Sequence, residues 1–294
     1  MEVRVTRQNF LTALWILLAV YAVYIPLSLM GQVQPPLLDI SISVFLPAIF
    51  AFVHSVVRYK MKGAIAFFVI CFVISNFFEN LSIITGFPFG HYYYTSVLGP
   101  KLFLVPLLIG PGYYGTGYLA WAMATILVGQ VRKRADALTT FVVPFAASFM
   151  MVGWDVCFDP DSSTLSKQWI WRDGGGYFGV PLTNYLGWFF TVYVFLQVFS
   201  LYLRKYDSDD APAAEGSGTY PLQAVLFYAL IAIGFPLEYW VAKAGEMMKD
   251  ERGVSWSVRD FRETAAIVSI YTMFFAVSLC LIKLAQRKHA TSSS

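Results

Sequence analysis

Residues 63–84 read G-A-I-A-F-F-V-I-C-F-V-I-S-N-F-F-E-N-L-S-I-I, an apolar run interrupted by one charge, Glu79. A helix that crosses the hydrocarbon layer needs roughly 20 mainly apolar residues, and this run has that length. It also carries a carboxylate where a carboxylate is costly. Working outward, the stretches 10–30, 40–57, 102–128, 139–157, 182–203, 221–242 and 264–282 are long and apolar enough to do the same. Together they predict an all-α fold: a polytopic membrane bundle of about eight transmembrane helices, forming a single integral membrane domain over residues 1–294. Composition agrees. Hydrophobic residues make up 57% of the chain and charged residues only 13%, against about a quarter charged in soluble domains. The first apolar run lacks a small-residue cleavage exit and is long enough to span, so it reads as a helix that is retained.

The links Gly31–Asp39 and Arg58–Lys62 are short, whereas 85–101, 158–181, 204–220 and 243–263 are longer. Within them Asp207–Gly218 is polar and carries Pro and Gly, as a mobile loop does, and Ala290–Ser294 reads as a disordered tail. Basic residues gather in alternate connections: Arg4 and Arg7; Arg58, Lys60 and Lys62; Arg132, Lys133 and Arg134; Arg204 and Lys205; Lys283, Arg287 and Lys288. With an even number of spans, the positive-inside rule puts both termini in the cytoplasm. The net charge of +3 is too small and too dispersed for a nucleic-acid partner. Cys71, Cys157 and Cys280 lie scattered in apolar segments and read as small buried hydrophobes.

An ionised group at the centre of a span costs about 2.5–3.5 kcal/mol on insertion scales, so each one asks for a reason. Glu79, Asp155 and Glu238 stand near the ends of the third, fifth and seventh apolar runs; His54 and Asp39 lie nearer span edges. Odd-numbered spans run in the same direction, which puts the three acids at similar depth, toward the non-cytoplasmic face. A single intramembrane acid is readily a structural hydrogen-bond acceptor. Three at one level point to a shared site.

Two unusual loops flank them. One runs from Thr85 through Gly86-Phe87-Pro88-Phe89-Gly90-His91-Tyr92-Tyr93-Tyr94 to Gly99-Pro100-Lys101 and Val105-Pro106. The other begins at Gly153-Trp154-Asp155 and passes Asp159-Pro160-Asp161, Trp169-Ile170-Trp171 and Gly176-Tyr177-Phe178-Gly179-Val180-Pro181 before Asn184 and Gly187-Trp188. A single Trp or Tyr here fits an interfacial belt, but this density beside intramembrane acids suggests an aromatic-walled cavity. In apolar surroundings a carboxylic acid can keep its proton at neutral pH, deliver it to an alkene, and leave ring faces to stabilise the resulting cation. No metal is expected. The histidines have no paired ligands, and Asp155, Asp159 and Asp161, which could in principle hold Mg²⁺ against a diphosphate, also make a good Asp-Pro-Asp turn. Nucleotide-binding and serine-hydrolase motifs are absent from the sequence. A retinal-type mid-helix lysine is missing too, since Lys243 and Lys283 both sit at span ends.

The run from Glu79 through Tyr94, with Gly99-Pro100 and Val105-Pro106, resembles the carotenoid-biosynthesis membrane family that includes carotenoid 1,2-hydratase and bisanhydrobacterioruberin hydratase. So does the second run, from Trp154-Asp155 to Gly187-Trp188. The likeness covers about residues 75–190 in detail. It implies cofactor-independent addition of water to the terminal isopropylidene double bond of a long isoprenoid, giving a tertiary alcohol. Its implied partners are the bilayer, a hydrophobic isoprenoid drawn from it, and other enzymes of the pathway. Pro236-Leu237-Glu238 is similar to the Pro-x-Glu motif of the membrane-bound lycopene cyclases, although Tyr239 stands where those tend to carry a second acid.

The expectation is therefore an isoprenoid hydratase. Asp155 is the proton donor, with Glu79 and Glu238 as further catalytic acids. Asn184, His91, Tyr92, Tyr94, Trp154, Trp169, Trp171 and Asp159 position substrate or water. The first rival is a terpene or carotenoid cyclase with the same first step. The second is a proton-coupled transporter, against which the sequence shows no inverted repeat.

Overall fold

The structure is a computed structural model describing residues 2–207, 219–242 and 245–292, with side chains described between residues 7 and 290. Eight α-helices dominate: α1 (Glu2–Leu29), α2 (Pro36–Thr85), α3 (Ile109–Leu127), α4 (Ala137–Pro160), α5 (Leu182–Tyr206), α6 (Tyr220–Val241), α7 (Val258–Val268) and α8 (Phe274–Ser292). Three of them depart from simple separate rods. Lys60 adopts φ 57° and breaks α2 into halves 36–59 and 61–85. A π-helical turn, Ser269–Met273, joins α7 to α8 without a break. Among the described residues six stretches meet the length and hydropathy of a membrane span: Arg7–Leu29, Pro36–Thr85, Ala137–Leu165, Leu182–Tyr206, Tyr220–Val241 and Val258–Ala290. The fold is an all-α membrane helix bundle.

Helix α3 is not among the six, and its sequence says why. It is rich in Gly and Tyr, and nearly all of it is buried among α2, α4, α6 and α8. Lipid offers no hydrophobic drive for helices to associate, so small residues that let backbones approach take over that role. A Cβ on Gly115 would lie 2.9 Å from the Ala48 backbone nitrogen, and one on Gly117 would lie 3.0 Å from the Phe195 ring. The outer surfaces of the surrounding helices carry Val23, Val73, Phe77, Phe149, Leu186 and Phe275, all exposed. In α6, Pro236 has no N–H for the Ala232 carbonyl; Ser269 Oγ donates to that carbonyl instead, at 2.8 Å.

Several boundaries differ from expectation. The run 102–128 does not begin as helix. Residues 101–106 form a two-stranded turn, β2 (Lys101–Leu102) against β3 (Val105–Pro106), because Pro106 cannot occupy a helix interior. The connection 158–181 starts inside α4, which runs on into a π-helical turn, Asp161–Leu165. The connection 243–263 contains a hairpin, β5 (Met247–Lys249) with β6 (Ser255–Ser257), and then α7. The expected tail is helical through Ser292, and residues 293–294, like 208–218 of the expected linker, lie outside the described residues.

The two ends of the bundle differ. At one end Arg58 pairs with Asp207 at 3.3 Å, the Arg134 N–H donates to the Arg204 carbonyl, and Arg287 Nη2 donates to the Ile126 carbonyl. The opposite end gathers the links 30–35, 86–108, 161–181 and 245–257, and with them most of the irregular structure.

Candidate functional site

The loop after α2 turns back at Gly86 and enters strand β1 (Tyr92–Tyr94), which pairs antiparallel with β4 (Trp169–Trp171) from the second loop. The register sets Tyr92 opposite Trp171 and Tyr94 opposite Trp169. Alternation along a strand sends these four rings to one face, where all are buried, while Tyr93 turns outward under the Arg172 guanidinium. The ladder is extended by bonds from the Thr95 N–H to the Gln168 carbonyl and from the Arg172 N–H to the His91 carbonyl.

This ribbon roofs a cavity of about 570 Å³ that reaches from α3 and α5 across to α1 and α6. Glu79 comes from the second half of α2. Its Oε2 accepts hydrogen bonds from Tyr92 and, at 2.8 Å, from Tyr94; its Oε1 accepts one from Tyr113 of α3 at 2.7 Å. Burial, and then the neighbouring Glu79, hold the Tyr92 and Tyr94 hydroxyls well above the ordinary phenol range, so both remain donors at physiological pH. Asp155 and Asp159 stand one turn apart on α4. Asn184 Nδ2, at the start of α5, donates to both, at 3.1 Å to Asp155 Oδ2 and 2.5 Å to Asp159 Oδ2. Asp159 Oδ1 accepts from the indoles of Trp169 (2.8 Å) and Trp171 (3.4 Å). Asp155 is fully buried, and its Oδ1 has no hydrogen-bond partner among the described residues.

The two acid clusters share an aromatic surround. The Tyr92 and Trp171 rings lie 4.9 Å apart and the Tyr94 and Trp169 rings 5.9 Å apart. Tyr113 stacks on Trp188 at 4.2 Å, and Trp154 stacks on Phe158 at 4.6 Å. Glu79, Asp159, Asn184, Tyr92, Tyr94, Trp154, Trp169 and Trp171 all line the cavity; Asp155 touches it only through Asn184.

Other expected residues are placed differently. Glu238 lines the same cavity, but it is not a lone acid: Arg262 of α7 reaches back to bond it and to pair with Asp161 at 3.1 Å. His91 is exposed, with its ring over Gly86, and it does not line the cavity. The indoles of Trp169 and Trp171, expected to position substrate or water, donate to Asp159. Asp161 faces Arg262, and among the described residues no group of three His, Cys, Asp or Glu side chains is placed to hold a metal ion.

Sequence reading missed Tyr113, whose signal was a helix unusually dense in Gly and Tyr, and Trp188 as a cavity wall. It also missed the Asp39 cluster on the far wall, where Asp39 accepts from Tyr24 at 2.7 Å and from Ser28 at 2.9 Å.

The arrangement offers paired carboxyl groups joined by one amide, a third carboxyl held by three phenols, and ring faces around an apolar void. Compared with known proteins, the chain matches over residues 40–245 the model of the family described as "Carotenoid biosynthesis protein". No curated protein and no solved structure matches it.

Proposed function

The chain belongs to the carotenoid biosynthesis protein family, and from that premise we propose that it is an intramembrane hydratase of a long isoprenoid. Its role lies in carotenoid biosynthesis, in a membrane. The observation that carries the finer reading is the Asp155–Asn184–Asp159 bridge set beneath tryptophans on the wall of an apolar cavity.

In this reading the Asp155–Asp159 pair holds one proton between its two carboxyl groups, as closely set acids do. The proton reaches the substrate at Asp159, the member on the cavity wall, with Asp155 as its reservoir. Transfer to the less substituted carbon of a terminal isopropylidene group leaves a tertiary cation. The faces of Tyr92, Tyr94, Trp169 and Trp171 stabilise that charge. Glu79, fixed by three hydroxyl donors, adds a preorganised negative field. Water then forms the C–O bond, and its surplus proton returns to the acid pair, so the enzyme ends as it began. Glu238 is tied to the Arg262 cation, whereas Asp155 and Asp159 are met by the neutral donors Asn184, Trp169 and Trp171. That weighs against the Pro-Leu-Glu run as the acid of a cyclase.

The test is incubation of enzyme-bearing membranes with an acyclic polyene in H₂¹⁸O. A tertiary alcohol carrying the heavy oxygen is the expected product. An isomer of unchanged mass would mean that an internal alkene captures the cation, and hydration would be abandoned for cyclisation.

A further inference from the structure

The π-helical turn Asp161–Leu165 carries three consecutive hydroxyl side chains, all buried. Ser163 Oγ donates to the Asp159 carbonyl at 2.8 Å, and Thr164 Oγ1 donates to the Phe178 carbonyl at 2.7 Å. Ser162 is different. It is 1% exposed, its Oγ has no hydrogen-bond partner among the described residues, and it is the one of the three that lines the cavity. Buried polar groups in folded proteins nearly always have partners. One beside a void with further polar groups at hand is satisfied by a small polar molecule that enters. Asp159, one turn earlier, and Ser166 and Gln168, just after, line the same cavity, and Ser166 is exposed at the surface. These residues form a polar margin of the chamber that ends at the exposed Ser166. π-Helical turns are frequent at functional sites, and this one, at the end of α4, sets Ser162 in the margin.

We propose that Ser162 is the positioning residue for the attacking water, and so decides whether the cation ends as an alcohol. The proposal rests on the hydratase reading above. Water enters past Ser166 and Gln168 and is held by Ser162 Oγ, one lone pair left free for the cation. When the C–O bond forms, the oxonium proton passes to the carboxylate of the Asp155–Asp159 pair that had released one. Without a held water the same cation has another exit. A neighbouring C–H proton returns to that carboxylate and an alkene re-forms, with no net reaction in H₂O and with deuterium incorporated in D₂O.

Wild-type, Ser162→Ala and Ser162→Thr enzymes are therefore compared on an acyclic polyene in D₂O, measuring both the tertiary alcohol and the deuterium in recovered alkene. Ser162→Ala removes no hydrogen bond made within the protein, so folding is expected to be retained. The ratio of alcohol to deuterated alkene should fall by roughly tenfold, the effect of one lost hydrogen bond to the attacking water. Total protonation should persist, and Ser162→Thr should restore the ratio. An unchanged ratio in Ser162→Ala, with the wild type making alcohol, overturns the role of Ser162 alone. A wild type that deuterates or isomerises the polyene without forming alcohol overturns the hydratase reading, and this inference with it.

Discussion

Asn184 spends both amide hydrogens on acids, one on Asp155 and one on Asp159. Replacing one carboxyl of the pair by its amide keeps the size and removes the shared proton. Asp155→Asn should lower turnover by at least about 10²-fold, within the range of general acid catalysis, while the protein still reaches the membrane. Glu238→Gln should cost less than about tenfold, because Arg262 keeps Asp161 as a partner. Product assays on matched amounts of inserted protein check both, and equal losses would remove the distinction between the acids. At this scale the sequence was partly legible. Glu79 and Asp155 stand out because a charge in an apolar run has few excuses. The Arg262–Glu238 pair was hidden, since it links two helices through a hairpin that no local pattern encodes. Tyr113 was hidden by chemistry: a tyrosine in a span looks interfacial until a carboxylate is found at its hydroxyl.

Two elements invite tests of their own. Helical glycines mostly sit here where a side chain would collide, as Gly110 does with Phe72 and Gly187 with Phe89 and the Pro88 carbonyl. Gly112 of α3 and Gly234 of α6 are different: a Cβ at either meets nothing within 4 Å, and both line the cavity. Gly234→Ala should thus stabilise α6 by up to about 1 kcal/mol yet slow turnover of a methyl-branched chain that fills the space; thermal unfolding and product yield measure the two effects separately. The β5–β6 hairpin turns on Asp250. Burial would raise this carboxyl, but bonds from the Trp256 indole, the Val254 and Arg252 N–H groups and the Arg252 guanidinium hold it below the usual carboxylate range. A depressed folded value means stability that is complete above the unfolded carboxylate pKa of about 3.9 and lost as pH falls through the folded one. Protease nicking of the 245–257 segment should therefore be flat from neutral pH down to about 5 and rise only below about 4. Apolar length made the helices legible in the sequence. The short strands and π-helical turns were not, because two or three residues of ladder, or one extra residue in a turn, leave no periodicity to read.

Taken whole, the molecule has Arg58, Arg134 and Arg287 tied down at one end and its irregular, aromatic chemistry at the other. If the basic end is cytoplasmic, as the positive-inside rule proposes, the cavity mouth opens on the opposite face. Ser166→Cys should then react with an impermeant maleimide added from outside the cell. The native thiols Cys71, Cys157 and Cys280 are buried and should stay silent. Labelling only after the membrane is opened would reverse the orientation. The aromatic enclosure has one more consequence. Trp154, Trp169, Trp171 and Trp188, four of the chain's eight tryptophans, stand around the same void. A conjugated polyene seated among them would drain their excited states by resonance energy transfer, so the protein carries a built-in optical gauge of its own occupancy, readable in native membranes without a label.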